Sequence, residues 1–156
     1  MKQTRFVVMR HGNDRYLETL MDPIEEVLDE SNQHYDATHI RDAIDAIKGL
    51  VNGEDITVTH SDTWRAEITA KIIAKGIGYE GEFTVDDRLQ DSVPYSRMSE
   101  MFMNEVGGLH IIVSHKPPVE QILRECTGRL IQHNVQQADA YLVEITETGL
   151  LVEKLN

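Results

Sequence analysis

Apolar positions along the chain fall into two alternating rhythms. Phe6–Met9 is an unbroken apolar run bounded by charge, the pattern of a strand buried on both faces. Ile40, Ala43, Ile44, Ile47, Leu50 and Val51 then recur at helical spacing, with Gly53 as the stop. "ITVTH", Ile56–His60, is short and β-branched, and predicts a strand. Trp64 to Lys75 has helical spacing, closed by Gly76 and Gly78, and Glu82–Val85 is a weaker strand. Met98, Met101, Phe102 and Val106 predict a further helix ending at Gly107-Gly108, before the strong strand Leu109–His115. Pro117 and Pro118 open a helix whose apolar face is Val119, Ile122, Leu123 and Cys126, capped by Gly128. The tail, Ala140 to Leu155, reads as a hairpin turning around Glu147–Gly149.

Between the first strand and the first long helix, Leu17, Leu20, Met21, Ile24, Val27 and Leu28 keep helical spacing, but Pro23 interrupts it. A break is expected there, with Asp22 as cap and Pro23 opening a second short helix. Glu25, Glu26, Asp29 and Glu30 form its solvated face. Strands alternating with helices imply an α/β fold with a mostly parallel sheet and helices on both faces. Ligands in such sheets bind beyond the carboxyl ends of the strands.

Composition narrows the function. The 156 residues suit one domain, 1–156. The net charge of -12 argues against a broad nucleic-acid surface, and no apolar run is long enough for a membrane span. A single cysteine, Cys126, excludes an internal disulfide and fits a reducing, cytoplasmic setting as a packed core thiol. Against this acidic background the basic groups at strand ends stand out: Arg10-His11-Gly12 after the first strand, Ser61 and Arg65 after "ITVTH", and His115 after "IIVS". Arginine offers phosphate a planar fork of donors. A neutral imidazole can attack phosphorus, and a protonated one can hold an oxygen whose charge grows during transfer. Gly12 would let backbone N–H groups approach the phosphate. Asn13 and Ser61 would either hydrogen-bond phosphate or cap helices. No spacing such as HExxH suggests a metal, and no cofactor is called for.

"MRHG" after a short apolar strand resembles the signature of the histidine phosphatase superfamily, the phosphoglycerate mutase-like proteins. "HSDTWRAEITAKII" (His60–Ile73) is similar to that family's Ser-x-x-x-Arg-Ala-x-x-Thr-Ala segment. "IIVSHKPPVEQIL" (Ile111–Leu123) looks like its Val-Ser-His strand end. The resemblance implies a three-layer α/β/α sandwich around a mixed sheet with one antiparallel strand. It makes His11 the phosphorylated nucleophile, with Arg10, Arg65 and His115 binding the phosphoryl oxygens.

The short chain and "SHKPPVEQIL" are nearest the small bacterial phosphohistidine phosphatases. The implied reaction is metal-free hydrolysis of a phosphorylated protein, with protein phosphohistidine the favoured case. A small phosphate ester as substrate, or a non-catalytic phospho-binding domain, are the alternatives. The glutamate that many members use as general acid is replaced locally by "DDRLQDS", so Asp91, Asp87 and Asp62 are the candidate proton donors. His34, His39, His60, His110 and His133 match no motif and are expected to serve the surface or packing, and Trp64 the core. Met98, Met101 and Met103 are also expected in the core.

Overall fold

A computed structural model describes residues 4–90, 107–128, 134–146 and 149–156. Six strands form one sheet, in the order β3-β2-β4-β1-β5-β6. They are β1 (Thr4–Arg10), β2 (Ile56–His60), β3 (Phe83–Val85), β4 (Gly108–Ser114), β5 (Ala140–Thr146) and β6 (Gly149–Lys154). β1, β2, β3 and β4 pair in parallel, and β5 runs antiparallel to both β1 and β6. The alternation predicts the mostly parallel α/β sheet, and the resemblance its mixed character, with β5 as the antiparallel strand. The five described α-helices are α1 (Asp14–Glu18), α2 (Pro23–Leu28), α3 (Tyr35–Leu50), α4 (Trp64–Ile77) and α5 (Lys116–Thr127).

Strand alternation sorts the core into two layers. Val7 and Met9 of β1 face α1 to α4 in a cluster with Val58, Ile111, Leu17, Ile40, Ile44 and Ile73. Phe6 and Val8 face the other way, against Val119, Ile122, Leu123 and Cys126 of α5. Helices therefore cover both faces, giving three layers. Cys126 is buried, which raises its thiol pKa to about 11.

The break at Pro23 occurs as the sequence suggests. Asp22 caps α2 by accepting from the Glu25 N–H, and Glu26 reaches back to the Asp22 N–H, a reciprocal cap. Two expectations are corrected. Gly76 does not stop α4: it lies within the helix, where a Cβ would sit 2.7 Å from Ile44 Cδ1. It is a point of close approach between α3 and α4, and the left-handed Gly78 (φ 78°) ends the helix. Trp64 is not core. It is 45% exposed at the start of α4. The expected helix containing Met98, Met101 and Met103, together with Asp91 and His133, lies outside the described residues.

Candidate active site

The register of the three central strands places their carboxyl ends side by side. Arg10 of β1 is level with Ser114 of β4, and His60 of β2 is level with Val113. The chain beyond each strand stays laced to its neighbour. His11 N–H donates to Ser114 O at 2.8 Å, and Ser61 N–H donates to Val113 O at 3.2 Å. Residues that are far apart in sequence, His11, Ser61 and His115, thus meet along one sheet edge. Arg65 joins them from the first turn of α4.

His11 is 6% exposed and His115 is 1% exposed. Their ring centroids are 5.2 Å apart, edge to face. A 2.7 Å contact joins His11 Nδ1 to Gly12 O. A carbonyl oxygen can only accept, so the proton is on Nδ1 and the lone pair of the neutral ring is on Nε2. Burial lowers the His11 pKa from 6.5 to about 4, opposed by the Gly12 bond and assisted by the charges of His115, Arg65 and Arg10. His115 Nε2 is 2.8 Å from Ser61 Oγ, which is in turn 3.2 Å from Thr63 Oγ1. Arg10 Nη1 donates to Val135 O at 3.0 Å.

The structure brings Arg10, His11, Ser61, Arg65 and His115 together. It gives Gly12 and Asn13 other work. Gly12 is expected to let backbone N–H groups approach phosphate, and its own N–H donates to Thr69 Oγ1 at 2.9 Å. Close packing explains the glycine: a Cβ there would lie 3.1 Å from Ile40 Cδ1 and 3.3 Å from Leu17 Cδ1. Asn13 caps α1 by accepting from the Tyr16 N–H, and its amide donates to Asp36 Oδ2 at 3.3 Å. Thr63, not Ser61, caps α4. Of the candidate acids, Asp62 and Asp87 are both exposed.

Thr69 has a role that composition does not announce. Its hydroxyl accepts from Gly12 and donates to Arg65 O at 2.8 Å, tying the turn after β1 to the helix that carries Arg65. The histidines without a motif are mostly internal. His110 bridges Thr57 Oγ1 (2.7 Å) and Gly107 O (2.8 Å), and His39 meets Asp139 at 2.8 Å. His60 donates from Nδ1 to Ser61 O at 2.7 Å, the same local bond that His11 makes. Exposed His34 stacks on Tyr16, ring centroids 4.0 Å apart. Among the described residues no group of His, Cys, Asp and Glu is arranged to hold a metal ion, and no helix is long and apolar enough to cross a membrane.

No family model matches the sequence, and no curated protein matches it. Solved structures do. The protein histidine phosphatase SixA complexed with tungstate superposes with a TM-score of 0.69, at 16% identity, over 97% of this chain and 96% of that one. The fold is that of the phosphoglycerate mutase-like proteins. Phosphoglycerate mutase from Bacillus anthracis shares it at 11% identity, with a TM-score of 0.66 over 98% of this chain and 92% of the other. So does phosphoserine phosphatase from Entamoeba histolytica, in complex with 3-phosphoglyceric acid, at 10% identity and 0.59, covering 98% and 97%.

Proposed function

We propose that this chain is a phosphatase of the histidine phosphatase type, working through a phosphohistidine on His11. One observation carries the reading: the Nδ1–H bond to Gly12 O, which leaves the Nε2 lone pair of a neutral imidazole beside Arg10, Arg65 and His115. The fold shared with phosphatases and mutases supports it.

Nε2 forms the N–P bond as the bond from phosphorus to the leaving group breaks. Arg10, Arg65 and His115 hold the equatorial oxygens while charge moves across them. The leaving group departs with a proton from an acid or from water. Water then attacks phosphorus from the face the leaving group vacated, and Nε2 recovers its lone pair as inorganic phosphate forms. Every positive charge in this scheme comes from side chains, so neither metal nor organic cofactor enters it.

The favoured substrate is a phosphorylated protein, with phosphohistidine first among the candidates. A P–N bond to imidazole is labile and needs little acid assistance, which suits a site whose described candidate acids, Asp62 and Asp87, are exposed. The likeness to a structure described as a protein histidine phosphatase points the same way. We also assign the chain to the cytoplasm, because a single buried free thiol suits a reducing compartment. A panel at equal concentration, comparing a phosphohistidine protein, phosphotyrosine and sugar phosphates, tests the assignment. The phosphohistidine protein is expected to give the highest kcat/KM. Preference for a sugar phosphate would make the protein a small-molecule phosphomonoesterase, and hydrolysis of none would leave a phospho-binding domain.

A further inference from the structure

Outside the proposed phosphate site lies a second pair of facing side chains, His39 of α3 and Asp139 just before β5. His39 Nε2 is 2.8 Å from Asp139 Oδ1, with side-chain exposures of 9% and 3%. The other carboxylate oxygen accepts from the Gln136 N–H at 2.8 Å and lies 3.6 Å from Lys154 Nζ. Tyr35 stacks on the outer side of the His39 ring, centroids 5.5 Å apart. The mechanism above uses neither residue.

The segment that Asp139 organises is the one that touches the pocket. Asp139 N–H donates to Gln136 O at 3.0 Å, closing a turn. Inside that turn Ala138 has φ 64°, and no other non-glycine among the described residues has positive φ. A left-handed alanine persists only where its surroundings over-determine it. Here they do: Asn156 Nδ2 donates to Ala138 O (2.8 Å) and to His39 O (3.0 Å). From this turn three bonds reach the proposed catalytic residues. Val135 O accepts from Arg10 Nη1 (3.0 Å), Asp139 O accepts from Arg10 N–H (3.1 Å), and Ala138 N–H donates to His11 O (3.0 Å).

We infer that His39 and Asp139 are positioning residues for Arg10 and His11. The buried pair fixes the 135–139 turn, and the turn fixes the guanidinium of Arg10 and the backbone of His11. The inference rests on the phosphatase reading for its catalytic consequence, but its physical content, the placement of Arg10, is measurable without turnover. The relation is not written in local sequence. The two residues are 100 positions apart, and neither belongs to a motif.

The test compares His39→Ala, His39→Gln and Asp139→Asn with the unaltered chain. Two quantities are read on protein shown to be folded by circular dichroism: kcat and KM for an aryl phosphate, and the dissociation constant for inorganic phosphate. A misplacement near 1 Å costs about 10²-fold in rate. His39→Ala and Asp139→Asn are each expected to lose about that in kcat/KM and to bind phosphate at least several-fold more weakly. His39→Gln, whose amide can donate to Asp139, is expected to recover much of both. A variant combining His39→Ala with Asp139→Asn is expected to be no worse than the poorer single one, because the pair acts as a unit. Should His39→Ala unfold, Asp139→Asn carries the comparison, since it keeps the side-chain shape while losing one acceptor. Folded variants that bind phosphate and turn over like the unaltered chain overturn the inference and leave the phosphatase reading intact. An unaltered chain that binds phosphate without hydrolysing anything sinks that reading, and the ratio of dissociation constants still decides the inference. A chain that neither binds nor hydrolyses overturns both.

Discussion

His11 Nδ1 and the carbonyl oxygen of Gly12 are 2.7 Å apart, and that bond decides which ring nitrogen is basic. A residue bonded to the carbonyl of its immediate neighbour keeps its tautomer without help from any distant carboxylate. Nucleophilicity at Nε2 is therefore set by the turn that leaves β1. The consequences are open to measurement.

The first concerns the charge of His11. Burial, with smaller electrostatic contributions from His115, Arg65 and Arg10, lowers its pKa to about 4. An NMR titration of the ring nitrogens is expected to show a midpoint near that value in the phosphate-free protein. A midpoint near 6.5 would mean a solvated ring and an open pocket.

The same shift links folding to pH. Between 6.5 and about 4 the unfolded chain binds a proton at this position and the folded chain does not. His11 therefore makes the fold less stable as pH falls through that window, by roughly 3 kcal/mol when complete. Above 6.5 the penalty is absent. Urea unfolding at pH 7 and pH 4.5 is expected to show a smaller loss for His11→Ala than for the unaltered chain, and equal losses would contradict the assignment.

Thr69→Val tests the tie between the turn and α4. The change removes the acceptor of the Gly12 N–H while keeping the volume of the side chain. An unsatisfied buried donor costs about 1–3 kcal/mol. The urea midpoint is expected to fall accordingly, with reduced kcat because Arg65 loses its anchor to the same turn. Unchanged stability and turnover would show that water replaces the hydroxyl.

Much of this architecture was legible in the sequence. Phe6–Met9 and Ile111–Val113 are apolar throughout because both faces of the central strands are covered, and continuous apolar runs say that directly. Arg10, His11 and His115 stood out because they follow apolar strands in an acidic chain, and Arg65 because it opens the helix after β2. The rest was hidden for identifiable reasons. Gly76 looked like a helix stop, since a glycine required for helix–helix contact reads the same as a terminator. Trp64 looked like core because hydrophobicity does not reveal which side of a helix start faces solvent. Gly12 was read as a phosphate contact, although its N–H is used by Thr69. The His39–Asp139 pair depends on a sequence separation that no local pattern encodes.

The general acid is a question of leaving groups. Asp91, which follows the described stretch ending at Gln90, is one of three candidate proton donors with Asp87 and Asp62. If Asp91 protonates the departing oxygen, Asp91→Asn is expected to slow alkyl phosphates by about 10²–10⁴-fold and to spare phosphohistidine or acidic aryl esters. Equal effects on all of them reject that role and return attention to Asp87 and Asp62.

Metal removal should matter little. The scheme draws its positive charge from Arg10, Arg65 and His115, so dialysis against a chelator is expected to leave kcat unchanged. Activity lost to chelator and restored by a divalent ion would contradict the scheme.

The central claim is a covalent bond between phosphorus and His11, and it is tested most directly by trapping. The protein is quenched in alkali within milliseconds of mixing with a ³²P-labelled substrate, then digested and mapped. The account predicts an acid-labile, alkali-stable label on the peptide containing His11, formed at a rate at least equal to turnover and absent from a folded His11→Ala variant. Steady hydrolysis with no label on His11, or equal labelling of the His11→Ala protein, would contradict it.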